Sequence, residues 1–450
     1  MSNNLSFRIL QSSSKICAIL LMSVVFNGCG DKLHAPVLTG SPSENAGNFS
    51  NVVFLGDSLT AGYQNGSLLD SQQPHGYVKL IATQANFNIE QPLIAPPGAP
   101  PVLQLDSIGP PPVVSEVDGT TTGRDNLTIQ ATDVAVPGHT VYDLIHTGPS
   151  LVPSTGQEKL TYLVLGFPGI QQGVQYSQLQ WAHQLNPTTI ILWIGNNDAL
   201  AADISGTPAS MTSLSDFTAQ YTELIKQLGS TTRANLIVAN IPDVTLVAYM
   251  TPGYLVLGEY SQATGIPVAQ LSLLTGVQQT DLVNPTGLAE ISAILMGTQK
   301  TPVDDGGLLT AAETATVQQT VIAYNQVIAE QVAAAGGTLV DIYSATNALN
   351  AHPPVINGYQ TNTGFLGGLF SLDGIHPTNT GYAITANAFI QTMNAALGKT
   401  IPLVDVSAIA ATDPLFPPNL AKSAVVRPRI IPASAGKSVK WMVKHGSATH

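Results

Sequence analysis

The chain is poor in cysteine and in charged residues. It has two cysteines among 450 residues, and charged residues make up 10% of the composition against 44% apolar residues. Cys17 lies in an N-terminal apolar run that we expect to be removed, so the mature chain would keep one sulfur and no internal disulfide. Disordered chains combine low hydrophobicity with high net charge, which this composition excludes. We therefore expect a folded domain that needs no disulfide.

Basic residues are scarce outside the C-terminus. Residues 29–420 hold eight Lys or Arg and 28 Asp or Glu, a formal charge of −20, so this part of the chain has no basic surface for a phosphate backbone and nucleic-acid binding is excluded. Residues 421–450 carry six basic residues and no acid. These charges could contact an anionic membrane or a glycan, but we expect a solvated, poorly ordered terminus. The six are Lys422, Arg427, Arg429, Lys437, Lys440 and Lys444.

Long hydrophobic runs are also absent. The longest apolar stretch near the N-terminus, residues 16–26, is too short to span a bilayer and follows Arg8 and Lys15 without any acid, which is typical of an export signal over residues 1–28. Phe26-Asn-Gly-Cys29 resembles the lipobox of bacterial lipoproteins, although Phe26 replaces the usual Leu-like residue. The resemblance implies that Cys29 is lipidated. An ordinary cleaved signal that leaves Cys29 as a spare thiol is the alternative.

A lipid anchor would hold the mature protein on a membrane without a transmembrane helix. We therefore expect an exported bacterial lipoprotein at the outer membrane, in the periplasm or at the cell surface. Residues 29–48 are polar and interrupted by Pro and Gly, as expected of a tether. The folded domain is predicted over residues 49–400, followed by a C-terminal extension over 401–450 with the basic tail.

Strand and helix patterns alternate through the predicted domain. Asn51–Leu55 is a short run of β-formers, typical of a strand buried on both faces of a parallel sheet. Such alternation predicts a three-layer α/β/α domain with a mostly parallel sheet and right-handed crossovers. Further strands are predicted at 127–136, 188–194, 234–240 and 338–343. Helices are predicted at about 139–146, 213–228, 310–335 and 381–396, the third opening with the capping box Thr310-Ala-Ala-Glu313.

Three long insertions interrupt this pattern. Residues 64–126 contain two proline-rich runs that exclude helix interiors and central strands, so we expect a surface excursion. Residues 245–309 mix Tyr, Leu and Met with Gly, Pro and Thr, and they suggest a lid over an acyl-binding cleft, although an ordinary packed insertion would have the same composition. Residues 345–372 include a Gly-rich stretch. Long loops at the carboxyl ends of parallel strands are where such sheets bind ligands.

The first strand leads directly into Gly56-Asp57-Ser58-Leu59-Thr60. A tight turn into a helix would present Ser58 at the carboxyl edge of the sheet, beside the positive end of the helix, where a nucleophile is favoured. A helix-capping serine is the alternative. The chain contains no Gly-x-Ser-x-Gly, so the nucleophile elbow of the α/β-hydrolase fold is excluded.

A base for Ser58 is available near the end of the domain in Asp373-Gly-Ile-His376-Pro377. Pro377 holds His376 in an extended conformation, and Asp373 can orient one ring nitrogen while the other faces the serine. A helix cap followed by a solvent histidine would give the same pattern.

Acyl transfer also needs fixed donors for an oxyanion. Gly138 follows the predicted strand 127–136, and Asn197 follows the predicted strand 188–194 in Gly195-Asn-Asn-Asp198; each can offer an N–H, although turns after strands often have this composition.

These motifs, taken in order, resemble those of the GDSL or SGNH hydrolases over roughly residues 51–396. The resemblance implies a flavodoxin-like SGNH fold, Ser58 as nucleophile, and Asp373 and His376 as its relay. It also implies an oxyanion hole made by Ser58, Gly138 and Asn197. Asp133 stands where the family often has Asn, and the insertions exceed those of compact members. Asp57 and Asp198 are expected to brace loops, and His139 to be structural or at the surface.

The resemblance and the site residues predict a serine esterase or lipase that works through an acyl-enzyme. A lipid or aliphatic acyl ester is the favoured substrate. Carbohydrate O-deacetylation and acyl transfer would use the same residues, and a non-catalytic surface lipoprotein that binds a glycan or a partner is the alternative from another class. The sequence has no metal-ligand cluster, phosphate loop or dinucleotide fingerprint, so we expect no metal and no cofactor.

Overall fold

Four parallel strands form the central sheet. The computed structural model describes residues 47–109, 111–420 and 430–443. The predicted signal and Cys29 therefore lie outside the described residues, as does most of the predicted tether. In sheet order, the strands are Val52–Gly56, Thr189–Trp193, Asn235–Ala239 and Thr338–Val340. All four correspond to predicted strands within a few residues. The carboxyl ends of all four strands lie at the same edge of the sheet.

Residues 132–136 extend this sheet beyond Val52–Gly56 without forming a regular strand. The Phe54 N–H donates to the carbonyl of Thr132 at 2.9 Å, and the Val134 N–H donates to the carbonyl of Phe54 at 3.0 Å. The predicted strand 127–136 is therefore wrong in its first half. Residues 127–130 bend at the surface instead, where the side chain of Asn126 accepts hydrogen bonds from Thr128, and Ala131 is already buried in the core.

Helices cover both faces of the central sheet, as expected of a three-layer α/β/α domain, so the predicted fold class is confirmed. On one face, Phe54, Ile191 and Ile237 pack with the helices Tyr77–Ala85 and Asn379–Leu397. On the other face, Val53, Ile190 and Leu236 pack against a second group of helices. The second group comprises Val141–His146, Gln178–Leu185, Leu214–Thr231 and Ala311–Ala334.

The helix Ala311–Ala334 illustrates why these segments are helical. The hydroxyl of Thr310 accepts the N–H of Glu313 while the Glu313 carboxylate accepts the N–H of Thr310, as predicted. One face of the helix is fully buried at spacings of three and four residues, which is the pattern of an amphipathic helix on a core. The buried residues of that face are Val317, Val321, Tyr324, Ile328 and Val332.

The remaining helices belong to the insertions, the strand connections and the C-terminal extension. They are Ser58–Ala61, Gly156–Leu165, Asn196–Ser205, Gly253–Thr264, Val268–Thr275, Pro285–Leu295, Ile342–Ala351, Val406–Thr412, Pro417–Leu420 and Gly436–Met442. Short 3₁₀ helices lie at Gln73–His75, Ile170–Gln172, Pro208–Ser210, Val244–Leu246, Asp305–Gly307 and Ala433–Ala435. Among the described residues, no helix has the length and apolarity needed to cross a membrane.

The insertions carry small sheets of their own. Residues 64–126 contain the hairpin Leu103–Ser107 and Val113–Glu116. Residues 245–309 contain a three-stranded sheet of Thr251–Pro252, Leu282–Val283 and Leu308–Leu309, and residues 345–372 contain the hairpin Val355–Ile356 and Tyr359–Gln360.

Two expectations about the outer segments are wrong. Residues 64–126 are more than a surface excursion, because Tyr77–Ala85 buries Tyr77 and Ile81 completely in the core. The C-terminal segment, residues 430–443, is not a solvated tail, while the rest of the basic tail, residues 421–429 and 444–450, lies outside the described residues. Its residues Ile431 and Met442 are fully buried. In both places apolar side chains are buried at helical spacing, and their burial favours docking on the domain. The prolines of the first insertion and the charges of the C-terminal segment had suggested a surface position instead.

Candidate active site

Ser58 stands at the start of a helix, directly after the first strand. Gly56 makes the turn possible, because a Cβ at that position would lie 2.4 Å from the carbonyl oxygen of Trp193 on the adjacent strand. Asp57 caps the following helix by accepting the N–H of Leu59 at 3.1 Å. The backbone N–H of Ser58 therefore points out of the helix start, where the helix dipole favours negative charge.

The structure brings Ser58, His376 and Asp373 together although more than 300 residues separate the serine from the histidine. The Ser58 Oγ and the His376 Nε2 are 2.8 Å apart. The His376 Nδ1 and the Asp373 Oδ2 are 2.9 Å apart. Both distances are normal hydrogen bonds, and the order Ser–His–Asp is the one in which an imidazole can take a proton from a hydroxyl.

The carboxylate of Asp373 is held by backbone donors as well as by the histidine. It accepts N–H groups from Ile375 at 2.8 Å, His376 at 2.9 Å and Gly66 at 2.7 Å. Burial acts to raise the pKa of Asp373, but the charge of His376 and these hydrogen bonds outweigh it and hold the pKa below its usual value. Asp373 therefore stays ionised and can stabilise an imidazolium.

Donors for an oxyanion lie at the same edge of the sheet. Gly138 has φ of +81°, a conformation that favours glycine. The backbone N–H groups of Ser58 and Gly138 have no hydrogen-bond acceptor among the described residues. One side-chain N–H of Asn197 donates to the carbonyl of His139 at 2.9 Å, which leaves the second N–H of that amide for a ligand. The structure thus places all three predicted donors just after segments of the central sheet. Ser58 and Asn197 lie at the starts of helices, and Gly138 lies in the turn after residues 132–136.

His139 is buried and structural, which excludes the surface alternative. Its Nε2 lies 2.9 Å from the Thr161 hydroxyl, which itself donates to a backbone carbonyl, and its Nδ1 accepts from Gln178 at 3.1 Å. These partners place the proton on Nε2. Burial lowers the pKa of His139 to about 4, so the ring is neutral at pH 7.

Gln178 is a residue of the site that sequence reasoning missed. Its amide accepts the N–H of Gly56 at 2.9 Å and donates to the carbonyl of Gly56 at 2.9 Å, as well as to His139. It therefore ties the turn before Ser58 to the loop that carries Gly138. No local pattern distinguishes this glutamine from others on helix surfaces.

Two further residues at the site were also not predicted. Tyr63 packs its ring against the His376 ring, with 4.7 Å between the centroids. The side-chain oxygen of Asn65 accepts the N–H of Leu372 at 3.0 Å. The start of the first insertion thus supports the loop that carries Asp373 and His376. Contacts between positions so distant in sequence leave no local signal.

Asp57 and Asp198 brace loops as expected. Asp57 accepts from the Asn196 side chain at 2.8 Å, and Asp198 accepts from the N–H of Val141 at 3.0 Å and from a threonine hydroxyl. Burial raises the pKa of Asp57 to about 6 and that of Asp198 to about 7. Asp133 is also fully buried, and burial raises its pKa to about 7. The Ser58 hydroxyl has its hydrogen bond with His376, and none of these three carboxylates is a hydrogen-bond partner of it among the described residues.

Among the described residues, no group of three or more His, Cys, Asp or Glu side chains could hold a metal ion. The site offers instead a hydroxyl, an imidazole base and uncharged N–H donors. This set can activate the serine for attack on a carbonyl carbon and can stabilise the tetrahedral oxyanion that forms.

Comparison with known proteins places the chain in a family. Residues 52–389 match the family described as GDSL-like Lipase/Acylhydrolase. No curated protein matches the sequence. Similar solved structures include an α/β hydrolase enzyme from the metagenome of Lake Arreo, Spain, with 14% identity over 77% of this chain and 96% of that chain and a TM-score of 0.34.

Two other solved structures are similar to the chain at the same low level. The acetylxylan esterase Axe2 from Geobacillus stearothermophilus has 13% identity over 78% of this chain and 96% of that chain, with a TM-score of 0.35. A lipase/acylhydrolase from Enterococcus faecalis has 14% identity over 79% of this chain and all of that chain, with a TM-score of 0.32. On the match over residues 52–389, which covers most of its length, the chain belongs to the GDSL-like lipase/acylhydrolase family and is a hydrolase that acts on ester bonds.

Proposed function

We propose that this hydrolase cleaves carboxylic esters through an acyl-enzyme on Ser58. The hydrogen-bonded chain from Ser58 through His376 to Asp373 carries the proposal. His376 takes the proton of Ser58 as the oxygen attacks the ester carbonyl, and it returns that proton to the leaving alcohol. Water then attacks the acyl-enzyme while His376 takes its proton. His376 returns that proton to the Ser58 oxygen as the acid is released.

The oxyanion of each tetrahedral intermediate is held by the N–H groups of Ser58 and Gly138 and by the Asn197 amide. These donors are fixed before reaction by the turn at Gly56 and by the bond from Asn197 to His139. A preorganised donor contributes roughly 3–4 kcal/mol of transition-state stabilisation. Asp373 accepts the Nδ1 proton of His376, which leaves Nε2 unprotonated and able to take the proton of Ser58. The carboxylate also stabilises the imidazolium that then forms.

A lipid or aliphatic acyl ester is the proposed substrate class, because the second insertion exposes large apolar side chains. Leu273 is 86% exposed and Met296 is 73% exposed, and Tyr254 and Leu274 are also exposed. All four lie on or next to the three contacting helices of residues 253–295. Exposed apolar side chains gathered in one unit favour contact with a lipid phase. The insertion would then serve as a lid.

The substrate class is tested with p-nitrophenyl esters from acetyl to dodecanoyl and with an acetylated oligosaccharide, using Ser58→Ala as the control. A lipid esterase gives a kcat/KM that rises with acyl length. A preference for acetyl, with turnover of the oligosaccharide, would replace this substrate class by carbohydrate deacetylation. Product analysis with a competing sugar acceptor distinguishes hydrolysis from acyl transfer.

We also propose that the protein is exported and anchored on a membrane through a lipid on Cys29, as a lipoprotein of the outer membrane, the periplasm or the cell surface. The support is the sequence pattern of residues 1–29. Metabolic labelling with a fatty acid tests it, because label should enter the wild type and not Cys29→Ser. Label that persists in Cys29→Ser, or never enters the wild type, would remove the anchor.

A further inference from the structure

Little of the candidate active site meets solvent. Ser58 and Asn197 are each 4% exposed, and His376 is 0% exposed. An ester must bring its carbonyl carbon to Ser58 during hydrolysis. A segment that narrows access to these groups would therefore control the reaction.

The C-terminal segment, residues 430–443, lies against the loops that carry the site. A Cβ on Gly138 would lie 2.4 Å from the carbonyl oxygen of Met442, which places Met442 next to a proposed oxyanion donor. A Cβ on Gly374, the neighbour of Asp373, would lie 2.5 Å from the Cδ1 of Ile431. A segment at the end of the chain thus contacts loops from two distant parts of the sequence.

A third glycine shows the same close approach. A Cβ on Gly66, whose N–H donates to Asp373, would lie 2.3 Å from the Oγ of Ser438. Close approach of the segment at all three glycines leaves no room for a substrate chain between the segment and these loops.

The segment also joins the two large insertions. The hydroxyl of Ser434 donates to the carbonyl of Val114 in the first insertion at 2.8 Å, and the Lys440 ammonium donates to the hydroxyl of Thr286 in the second at 2.8 Å. Ile431, Ala435, Val439 and Met442 are all fully buried at helical spacing. An apolar face and two terminal hydrogen bonds therefore hold the segment in place.

The segment is suited to detach as a unit. Its helix Gly436–Met442 has seven residues, and an isolated helix of that length is not stable in water. It keeps its shape only while it is docked. A short element that is stable only when docked can open locally without unfolding of the whole domain.

We propose that the C-terminal segment is an autoinhibitory strap, which closes the active site when docked and must lift before an ester can bind. The proposal rests on the proposed role of Ser58. The fraction of molecules with the strap lifted then sets the apparent rate with any active-site reagent, because reaction requires the open state. Weakening the docking face should raise that rate although no residue of the site is changed.

The test measures the rate at which a fluorophosphonate probe labels the full chain. Val439→Glu places a charge in the docking face, and Lys437→Glu places the same side chain at an exposed position of the same helix. We expect labelling of Val439→Glu to be at least about tenfold faster than that of the wild type, with Lys437→Glu close to the wild type. Equal rates in all three proteins would overturn the strap and leave the function of Ser58 standing.

Failure of the proposed function has a different signature. If neither the wild type nor Val439→Glu is labelled while circular dichroism shows both to be folded, Ser58 is not an activated nucleophile and the strap proposal fails with it. Should Val439→Glu not fold, the double variant Ser434→Ala with Lys440→Ala removes the two terminal hydrogen bonds and keeps the apolar face. A labelling rate unchanged from the wild type in that variant would equally overturn the strap.

Discussion

Replacing Asn197 by alanine should reduce kcat while leaving KM nearly unchanged. The Asn197 amide has two N–H groups, and one is used at 2.9 Å on the carbonyl of His139. The other is the proposed donor to the oxyanion. Because charge develops on that oxygen only as the reaction proceeds, loss of the donor raises the barrier without weakening substrate binding. The expected loss is roughly 3–4 kcal/mol, or about 10² to 10³ in kcat.

The same substitution has a second, separable effect on folding. The carbonyl of His139 would be left buried without its donor, which costs about 1–3 kcal/mol of unfolding free energy. Asn196→Ala is the matched control, because the neighbouring amide donates to the carboxylate of Asp57 at 2.8 Å and makes no proposed contact with the oxyanion. We expect Asn196→Ala to lose comparable stability and less than about tenfold in kcat.

The assay is kcat and KM for a soluble p-nitrophenyl ester, measured with urea unfolding of the same preparations. A kcat for folded Asn197→Ala within about threefold of the wild type would refute the assignment of its amide to the oxyanion. Equal losses of kcat in Asn197→Ala and Asn196→Ala would attribute the effect to loop stability instead.

Three other outcomes are expected. Burial raises the pKa of Asp133 from 3.8 to about 7, so the stability that its protonated form contributes is full below about pH 4 and is lost as the pH rises through 7. Between pH 5 and pH 8, the free energy of unfolding of the wild type, measured in urea, should therefore fall by on the order of 2 kcal/mol more than that of Asp133→Asn. The same pH dependence in both proteins would contradict the raised pKa. Gln178→Met removes the shared partner of Gly56 and His139, so its free energy of unfolding in urea should fall by about 1–3 kcal/mol, and kcat should change more than KM. Wild-type stability would show that the glutamine does not tie these loops. Leu273→Asp should weaken hydrolysis of an emulsified long-chain ester but not of soluble p-nitrophenyl acetate, and equal losses on both substrates would argue against a lipid-facing lid.

The sequence predicted those site residues that belong to short local motifs. Ser58 and Asn197 each follow a run of β-formers that ends in a glycine, and Asp373 and His376 lie on one turn. A parallel sheet brings the ends of its strands to one edge, so the order of the motifs along the chain was enough to expect them together.

The contacts that the sequence did not predict join distant segments. Gly66 donates to Asp373 across 307 positions, and Gln178 accepts from Gly56 across 122. Neither residue type nor spacing encodes such a contact. Local charge was misleading for the C-terminal segment, because the positive charges of Lys437 and Lys440 suggested solvation while Val439 and Met442 on the same helix are fully buried. Apolar spacing over two turns was the better signal there.

The strand predicted at 127–136 failed for a related reason. Residues 132–136 hydrogen-bond with the first strand of the sheet, but the preceding residues have no neighbouring strand to pair with. Strand propensity is expressed only where a partner completes the ladder, and the sequence does not reveal which edges are extended.

The most direct test of the account is to find the residue that carries the acyl group. The wild type and Ser58→Ala are incubated to completion with a fluorophosphonate and digested, and the modified peptide is located by mass spectrometry. We expect one adduct on Ser58 in the wild type and none in folded Ser58→Ala. An adduct on another residue, or no adduct on Ser58 in either the wild type or Val439→Glu, would contradict the assignment of Ser58 as the nucleophile.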